Sequence, residues 1–92
     1  MNRSEILAEV KALLAECGDV DPAQVDEQTA FIADLALDSL VLIRMTVLAE
    51  ERFEVRIPDE AAWELHTVGA VVNYIEHHLE EAQAGRKGAH GE

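Results

Sequence analysis

Apolar side chains recur at the spacing of an α-helix in three separate segments of this chain. Residues three or four positions apart lie on one face of a helix, so each such stripe predicts an amphipathic helix. The chain has only two Phe, one Trp and one Tyr, so a core made from these stripes is aliphatic, which suits packed helices. The sequence therefore predicts an all-α fold, a small four-helix bundle with three main helices, one short third helix and a long first loop. The stripes are Ile6, Leu7, Val10, Leu13, Leu14 and Cys17; Leu42, Met45, Thr46, Ala49 and Phe53; and Val68, Val71, Val72, Ile75 and Leu79.

Polar residues, glycine and proline predict where these helices begin and end. Ser4 and Thr67 are suited to cap the first and last helices, and Gly18 is suited to end the first. Pro58 precedes two acidic residues, which predicts the start of the short helix. Trp63, near the end of that helix, is expected to take part in the packing.

The connection from Gly18 to Asp38 shows no sustained period, yet it is rich in large apolar residues. The pair Asp21-Pro22 predicts one short turn within it. A loop with this many apolar groups is expected to pack on the helices instead of extending into solvent. The residues concerned are Val20, Val25, Phe31, Ile32, Leu35 and Leu37.

The 92 residues suffice for one domain, predicted to span residues 1–82 and to be followed by a mobile, glycine-containing tail over residues 83–92. The formal net charge of −12 is expected to repel nucleic acid and anionic membranes and to attract partners with basic docking patches. The single cysteine, Cys17, permits no intramolecular disulfide, and no apolar run reaches transmembrane length. These features predict a monomeric cytoplasmic protein.

No set of residues in the sequence forms a recognisable metal site or catalytic centre. The aspartates of the long loop lack the spacing of an EF-hand. The histidines form no ligand set, and no histidine lies near Ser39 in the chain, so the sequence supports no Ser/His/Asp arrangement. We therefore expect neither a metal ion nor an independent enzyme. The histidines are His66, His77, His78 and His90.

Residues 34–40 read Asp-Leu-Ala-Leu-Asp-Ser-Leu and place Ser39 where the long loop meets the second helix. Unpaired backbone N–H groups and the positive end of the helix dipole make such a position suited to a phosphate group. Serine and aspartate are also common helix caps. From these residues alone, Ser39 is either a modified functional serine or only a cap.

The second helix carries an additional apolar stripe formed by Leu40, Ile43 and Val47, which Val41 widens. A small bundle has little room to bury both stripes of one helix. Either the additional stripe binds partner proteins beside Ser39, or the helix is central and buried on two sides.

The order of helix, long loop, Asp-Ser-Leu at a helix start, short helix and final helix resembles the acyl carrier protein family over about residues 4–80. The three-residue motif alone is weak, but the ordered set of motifs at these spacings in a short chain is specific. The matching segments are residues 34–40, Glu50-Glu51-Arg52-Phe53, Ile57-Pro58-Asp59-Glu60, Thr67-Val68-Gly69 and Tyr74-Ile75.

The resemblance implies that a phosphopantetheinyl transferase attaches 4′-phosphopantetheine to Ser39 through a phosphodiester, with Asp38 and Leu40 beside it. The thiol of that arm would hold an acyl group as a thioester and present it to acyl-loading, condensing or acyl-transferring enzymes. The resemblance also implies that the second helix is the docking helix. This assigns partner contacts to Leu40, Val41, Ile43, Arg44, Val47, Glu50 and Glu51.

The chain departs from the family pattern at three positions. Ala36 stands where the family commonly has glycine, and Val41 and Arg44 stand where many fatty-acid carriers have acids. Ala36 affects only the local shape of the loop. Because Val41 and Arg44 change which partners dock, they favour a free-standing carrier of a polyketide or related natural-product pathway. The alternatives are a stand-alone aminoacyl or peptidyl carrier and, from another class, an unmodified helical interaction module.

Overall fold

A computed structural model describes the backbone of residues 1–90 and the side chains of residues 1–80. Its helices are α1 (Arg3–Gly18), α2 (Ser39–Phe53), α3 (Asp59–Ala62) and α4 (Val68–His90), and a 3-10 turn, Pro22–Gln24, lies in the first loop. Residues 1–90 contain no β-strand, and their β pairing is limited to one isolated bridge. The predicted all-α bundle with three main helices, a short third helix and a long first loop is confirmed.

Helix α1 begins before the position that the sequence predicted. The Asn2 side chain accepts the N–H of Glu5 at 2.9 Å, and the Glu5 carboxylate accepts the Asn2 N–H at 2.9 Å. This reciprocal capping box satisfies two helix-end donors, so Asn2 is the cap and the expectation for Ser4 was wrong. At the other end, Gly18 remains helical and Asp19 adopts the left-handed conformation that ends the helix, with φ 55°.

The three main stripes meet in one aliphatic core. Helix α1 packs against both α2 and α4. From α2, the buried residues are Met45, Ala49 and Phe53, as the inward stripe predicted. Cys17 is half-buried against this core as a free thiol. The most completely buried side chains, all from α1 and α4, are Ile6, Val10, Leu13, Leu14, Val68, Val72 and Ile75.

The long loop packs on the helices, as its composition predicted. Val25, Phe31 and Leu37 are buried in the core, and Val20 and Leu35 pack against it. Ile32 is the exception, because 63% of its surface is exposed. It lies in a tight turn directly after the buried Phe31, and such a turn cannot direct every side chain toward the helices.

The middle of the loop is attached to the start of α4. The N–H of Phe31 donates to the His66 carbonyl at 3.0 Å, and the N–H of Val68 donates to the Thr29 carbonyl at 3.0 Å. One residue further on, the N–H of Gly69 donates to the Glu27 carbonyl at 2.7 Å. Thr67 caps α4 as predicted, since its hydroxyl accepts the N–H of Ala70 at 3.1 Å. These bonds hold the loop against the helix end.

Arg3 joins three parts of the chain at the surface. Its guanidinium forms a two-point ion pair with Glu27 of the loop and also bonds to Asn73 and Glu76 of α4, at 2.6 Å and 3.2 Å. The hydrogen bond from Arg3 lowers the pKa of the Glu27 carboxyl, and the same bond raises the pKa of Arg3. The start of α1 is therefore tied to both the loop and the last helix.

Helix α3 is shorter than predicted and turns its aromatic neighbour outward. Pro58 takes the capping position, and the helix covers only Asp59–Ala62. Ala61 and Ala62 pack against the core, whereas Trp63 is 72% exposed, so the expectation that Trp63 packs was wrong. A single helical turn has room for one inward face, and the two alanines occupy it.

Helix α4 continues through His90, beyond the domain end predicted at residue 82. The segment Glu80-Glu81-Ala82-Gln83-Ala84 consists of strong helix formers, which favour continuation. The side chains of residues 81–90 and the whole of residues 91–92 lie outside the described residues, so the mobility of the tail stays a prediction. None of the helices in the described part of the chain combines the length and apolar character that a bilayer crossing needs.

Candidate functional site

The last part of the loop brings Ser39 to a defined position beside the core. Phe31 and Leu37 are buried, and the N–H of Leu37 donates to the Phe31 carbonyl at 3.1 Å. Asp34 closes the turn between them, since its carboxylate accepts the N–H of Ala30 at 2.7 Å. Ala36 follows with φ 53°, in the left-handed region that glycine adopts most easily. The two buried side chains and the turn between them fix where α2 starts.

Asp38, rather than Ser39, caps helix α2. Its backbone is extended, and its Oδ1 accepts the N–H of Val41 at 2.9 Å. Its carbonyl accepts the N–H of Leu42 at 3.2 Å, which begins the helical hydrogen-bond pattern. The sequence left open whether Ser39 is a modified serine or a helix cap. In the structure the capping role belongs to its neighbour, Asp38.

Ser39 is therefore the first helical residue, and its side chain is exposed. In the part of the chain that the structure describes, its hydroxyl makes no hydrogen bond, and neither its own N–H nor that of Leu40 has an acceptor. The first N–H groups of a helix lack intrahelical partners and lie at the positive end of the helix dipole. The accessible hydroxyl of Ser39 thus lies beside two backbone N–H donors that suit an anionic group.

A cavity of about 780 Å³ lies between α2 and α3, and Ser39 is part of its lining. Core residues of α1 also line it, so the cavity extends from the start of α2 into the interior. Two of its polar groups are already bonded inside the protein: the Thr46 hydroxyl donates to the Leu42 carbonyl at 2.9 Å, and Glu50 accepts the Ile57 N–H at 2.8 Å. The lining residues are Val10, Leu13, Phe31, Ser39, Leu42, Ile43, Met45, Thr46, Val47, Ala49, Glu50, Arg56, Ile57, Pro58, Asp59, Glu60, Ala62, Trp63, Leu65 and Val71.

The additional stripe of α2 faces solvent. Leu40 is 71% exposed, Ile43 57% and Val47 48%. This decides between the two interpretations that the sequence left open, because α2 is buried on one side only. With Trp63, which directly follows α3, these residues form what we call the outer apolar surface, which lies beside Ser39.

The other predicted contact residues are placed differently. Arg44 and Glu51 are exposed on the same side of α2, whereas Val41 is half-buried and packs against the core. Glu50 is also half-buried, and its carboxylate holds the backbone of Ile57. The sequence did not reveal this structural role of Glu50, because the acceptor of a backbone N–H in a separate segment leaves no periodic signal.

Among residues whose side chains the structure describes, no three His, Cys, Asp or Glu side chains gather as a metal ion would require. His77 and His78 lie on α4, and the ring of His78 packs on Tyr74, with ring centroids 4.0 Å apart. His90 falls outside the described side chains.

Comparison with known proteins agrees with this geometry. Residues 8–75 match the family model described as "Phosphopantetheine attachment site". The chain is similar to the acyl carrier protein of Thermosynechococcus vestitus, with 45% identity over 75 residues that cover 82% of this chain and 93% of that protein. It is also similar to the acyl carrier protein of Phenylobacterium zucineum, with 40% identity over 76 residues that cover 83% and 96% of the two chains.

A solved structure has the same fold. The acyl carrier protein from Enterococcus faecalis, a structure described for its high thermal stability, aligns with a TM-score of 0.73 and 33% identity, covering 85% of this chain and 99% of that one. Proteins of this kind carry 4′-phosphopantetheine covalently, act as carriers and not as catalysts, and work with phosphopantetheinyl transferases and acyl-handling enzymes. On these grounds, the chain belongs to the acyl carrier protein family.

Proposed function

We propose that Ser39 is the residue that carries the phosphopantetheine arm. The observation that supports this is the unbonded, exposed Ser39 hydroxyl at the first position of α2, one residue after the cap that Asp38 supplies. A serine that served as the cap would have to give up that bond on modification. Ser39 has no such bond to lose, so modification leaves the helix start intact.

The chain around Ser39 fits the group. The unpaired N–H groups of Ser39 and Leu40 are placed to donate to phosphate oxygens, and the helix dipole favours negative charge there. When attached, the arm supplies a terminal thiol that holds an acyl group as a thioester. The protein itself supplies tethering, which raises the effective concentration of the cargo near a docked enzyme.

The intact mass of the protein tests this assignment. Wild type and Ser39→Ala are each incubated with coenzyme A and a broad-specificity phosphopantetheinyl transferase. Wild type should gain the mass of one phosphopantetheine, and Ser39→Ala should gain nothing while keeping its helical circular dichroism. If wild type gains nothing with a transferase that modifies another carrier, or if Ser39→Ala is modified, the assignment is wrong.

The cavity between α2 and α3 is the proposed site for the carried acyl chain. It begins at Ser39, continues to the core residues Val10 and Phe31, and has a volume in the range of small-molecule sites. The polar groups Thr46 and Glu50 already have partners within the protein, so an apolar chain would not leave them unsatisfied. This arrangement favours an acyl chain over a highly polar cargo.

The outer apolar surface is the proposed docking site for acyl-loading, condensing or acyl-transferring enzymes. Leu40, Ile43 and Val47 are exposed together next to Ser39, and exposed apolar clusters of this kind mark interaction sites. Glu51, on the same side of α2, and the net charge of −12 fit a partner surface with basic residues.

The pathway is proposed to be a dedicated polyketide or related natural-product route. The support is the pair Val41 and Arg44, an apolar and a basic residue where the family resemblance leads one to expect acids in fatty-acid carriers. Loading assays with purified acyl-activating and amino-acid-activating enzymes, read by mass, distinguish acyl from aminoacyl cargo. If the protein replaces a housekeeping carrier in fatty-acid synthesis with equal efficiency, the dedicated-pathway proposal fails.

A further inference from the structure

Arg44 lies on the exposed side of α2, and its nearest neighbours along the helix are apolar. Positions three and four residues away are its neighbours on a helix surface. In this helix all four such positions are apolar, and the nearest acid on the same face, Glu51, lies seven residues on, about 10 Å along the axis. The four neighbours of Arg44 are Leu40, Val41, Val47 and Leu48.

Two other arginines, Arg3 and Arg52, form ion pairs within the protein. Arg3 bonds to Glu27 and Glu76, and Arg52 bonds to Glu9 and Glu16 of α1, at 3.3 Å each. Arg44 forms no ion pair with any side chain in residues 1–80. Lys11 and Arg56 also form no ion pair within residues 1–80, but Arg44 alone of these three lies on α2 between the exposed apolar side chains of Leu40 and Val47.

We infer that the partner enzyme of this carrier places a carboxylate, set within an apolar recess, against Arg44. This inference rests on the docking role proposed above for the outer apolar surface, and it adds a partner feature that the acidic charge of the carrier does not predict. Leu40 and Val47 would fill the apolar recess on either side of the ion pair.

The physical reason is the change in the surroundings of Arg44 on docking. In the free protein the guanidinium is in water, where a charge on an apolar surface costs little. When Leu40 and Val47 are covered, water is excluded around Arg44, and an unpaired charge there would be strongly unfavourable. A partner that covers this surface must therefore supply an acceptor, and a carboxylate gives the strongest, bidentate match to a guanidinium. Partners that present only basic groups are disfavoured by the same residue.

The test first needs the partner itself. The holo-protein, with a photoreactive amino acid at position 51, is irradiated in an extract of the source cells, and the cross-linked enzyme is identified and purified. Binding of that enzyme to holo wild type, Arg44→Gln and Lys11→Gln is then measured. Lys11, half-buried on α1 beside the loop, is the matched control, because either change takes the net charge from −12 to −13. Unfolding temperatures confirm that both variants are folded.

Arg44→Gln should weaken binding by at least about tenfold, whereas Lys11→Gln should change it by less than about twofold. The carboxylate residues of the partner are then replaced by lysine, one at a time, and each partner variant is tested against wild type and against Arg44→Glu. One of these partner variants should restore the binding of Arg44→Glu and should bind wild type more weakly. Equal effects of the two neutralised variants, or a partner in which no reversal restores Arg44→Glu, would overturn the inference. Attachment of phosphopantetheine to Arg44→Gln, checked by mass, separates this result from failure of the Ser39 assignment.

Discussion

The carboxylate of Asp38 accepts the backbone N–H of Val41 at 2.9 Å and thereby caps α2 immediately before Ser39. Two adjacent residues that are both common caps thus have separate roles. Asp38 holds the start of the helix, and Ser39 keeps an exposed hydroxyl without a hydrogen bond in the described part of the chain.

This division predicts unequal effects of alanine substitution on the unmodified protein. Asp38→Ala should lower the free energy of unfolding by about 1 kcal/mol, because it removes the capping bond. Ser39→Ala should change it by no more than about 0.5 kcal/mol, as an exposed residue without a bond should. Urea unfolding of both variants measures the difference, and a larger loss for Ser39→Ala would show that the serine does cap the helix.

Ala36 adopts the left-handed conformation in the segment that leads to Ser39, with φ 53°. For a residue with a Cβ atom this conformation costs about 1 kcal/mol, and glycine avoids that cost. Ala36→Gly should therefore raise the free energy of unfolding by up to about 0.5 kcal/mol, because the added flexibility of the unfolded chain offsets part of the gain. Ala33→Gly is the control: Ala33 lies in the same turn without a positive φ, so its replacement should destabilise. Equal losses in both variants would contradict the argument.

Gly69 is required by the close approach of α4 to the loop. A Cβ atom built on Gly69 would lie 2.8 Å from the carbonyl oxygen of Glu27, a backbone atom that also accepts the Gly69 N–H. Gly69→Ala should lower the free energy of unfolding by about 2–3 kcal/mol, because the loop must shift. Gly18→Ala adds the same helix propensity, yet its Cβ approaches only side-chain methyl groups, the nearest being that of Leu37 at 3.0 Å. In chemical denaturation, the free energy of unfolding of Gly69→Ala should be well below that of Gly18→Ala. The reverse order would be inconsistent with this packing.

The ion pair between Arg3 and Glu27 predicts a pH dependence of stability. The pKa of Glu27 is lowered in the folded protein by the hydrogen bond from Arg3, so its contribution is present above the pKa of the unfolded state and is lost as the pH falls through the folded value. Glu27→Gln should be less stable than wild type at pH 7, and the difference should shrink from about pH 5 to about pH 3. Unfolding at several pH values measures this. When Arg3 is replaced by Gln as well, the effect of Glu27→Gln should vary much less with pH, because the hydrogen bond from Arg3 is the main cause of the lowered pKa.

The single tryptophan reports on the proposed cargo cavity. Trp63 lines that cavity and is 72% exposed. If the acyl chain of an octanoyl-loaded protein enters the cavity, it will displace water from the indole and shift the emission maximum to shorter wavelength. The holo-protein without cargo is the control. Identical emission spectra of the two forms would place the acyl chain outside the cavity near Trp63.

The sequence predicted the helices well because their signal is local. Stripes at intervals of three and four residues locate α1, α2 and α4, and the start of α2 at Ser39 and its end at Phe53 agree with the prediction. The caps were less predictable. Asn2 and Ser4 are both good capping residues, and the choice between them depends on the reciprocal bond with Glu5.

Contacts between residues that are far apart in the chain could not be predicted from the sequence. The sequence pattern shows only that a glycine is tolerated at position 69, whereas the structure shows that Glu27 leaves space for nothing larger. Glu50, which the family resemblance assigned to partner contacts, also accepts the backbone N–H of Ile57 from a separate segment. Trp63 was expected to take part in the packing and is instead exposed, because two alanines occupy the inward face of α3.

By itself, the sequence determined the all-α fold, the position of Ser39 at a helix start, and the presence of two apolar stripes on α2, because each of these depends on residues close together in the chain. Tertiary structure decided which stripe is buried, which residue caps α2, and where the cavity lies. Those outcomes depend on how α1 and α4 fill the space beside α2, and residues far apart in sequence compete for that space. The exposed face of α2, with Arg44 among its apolar neighbours, is what this competition leaves available for a partner.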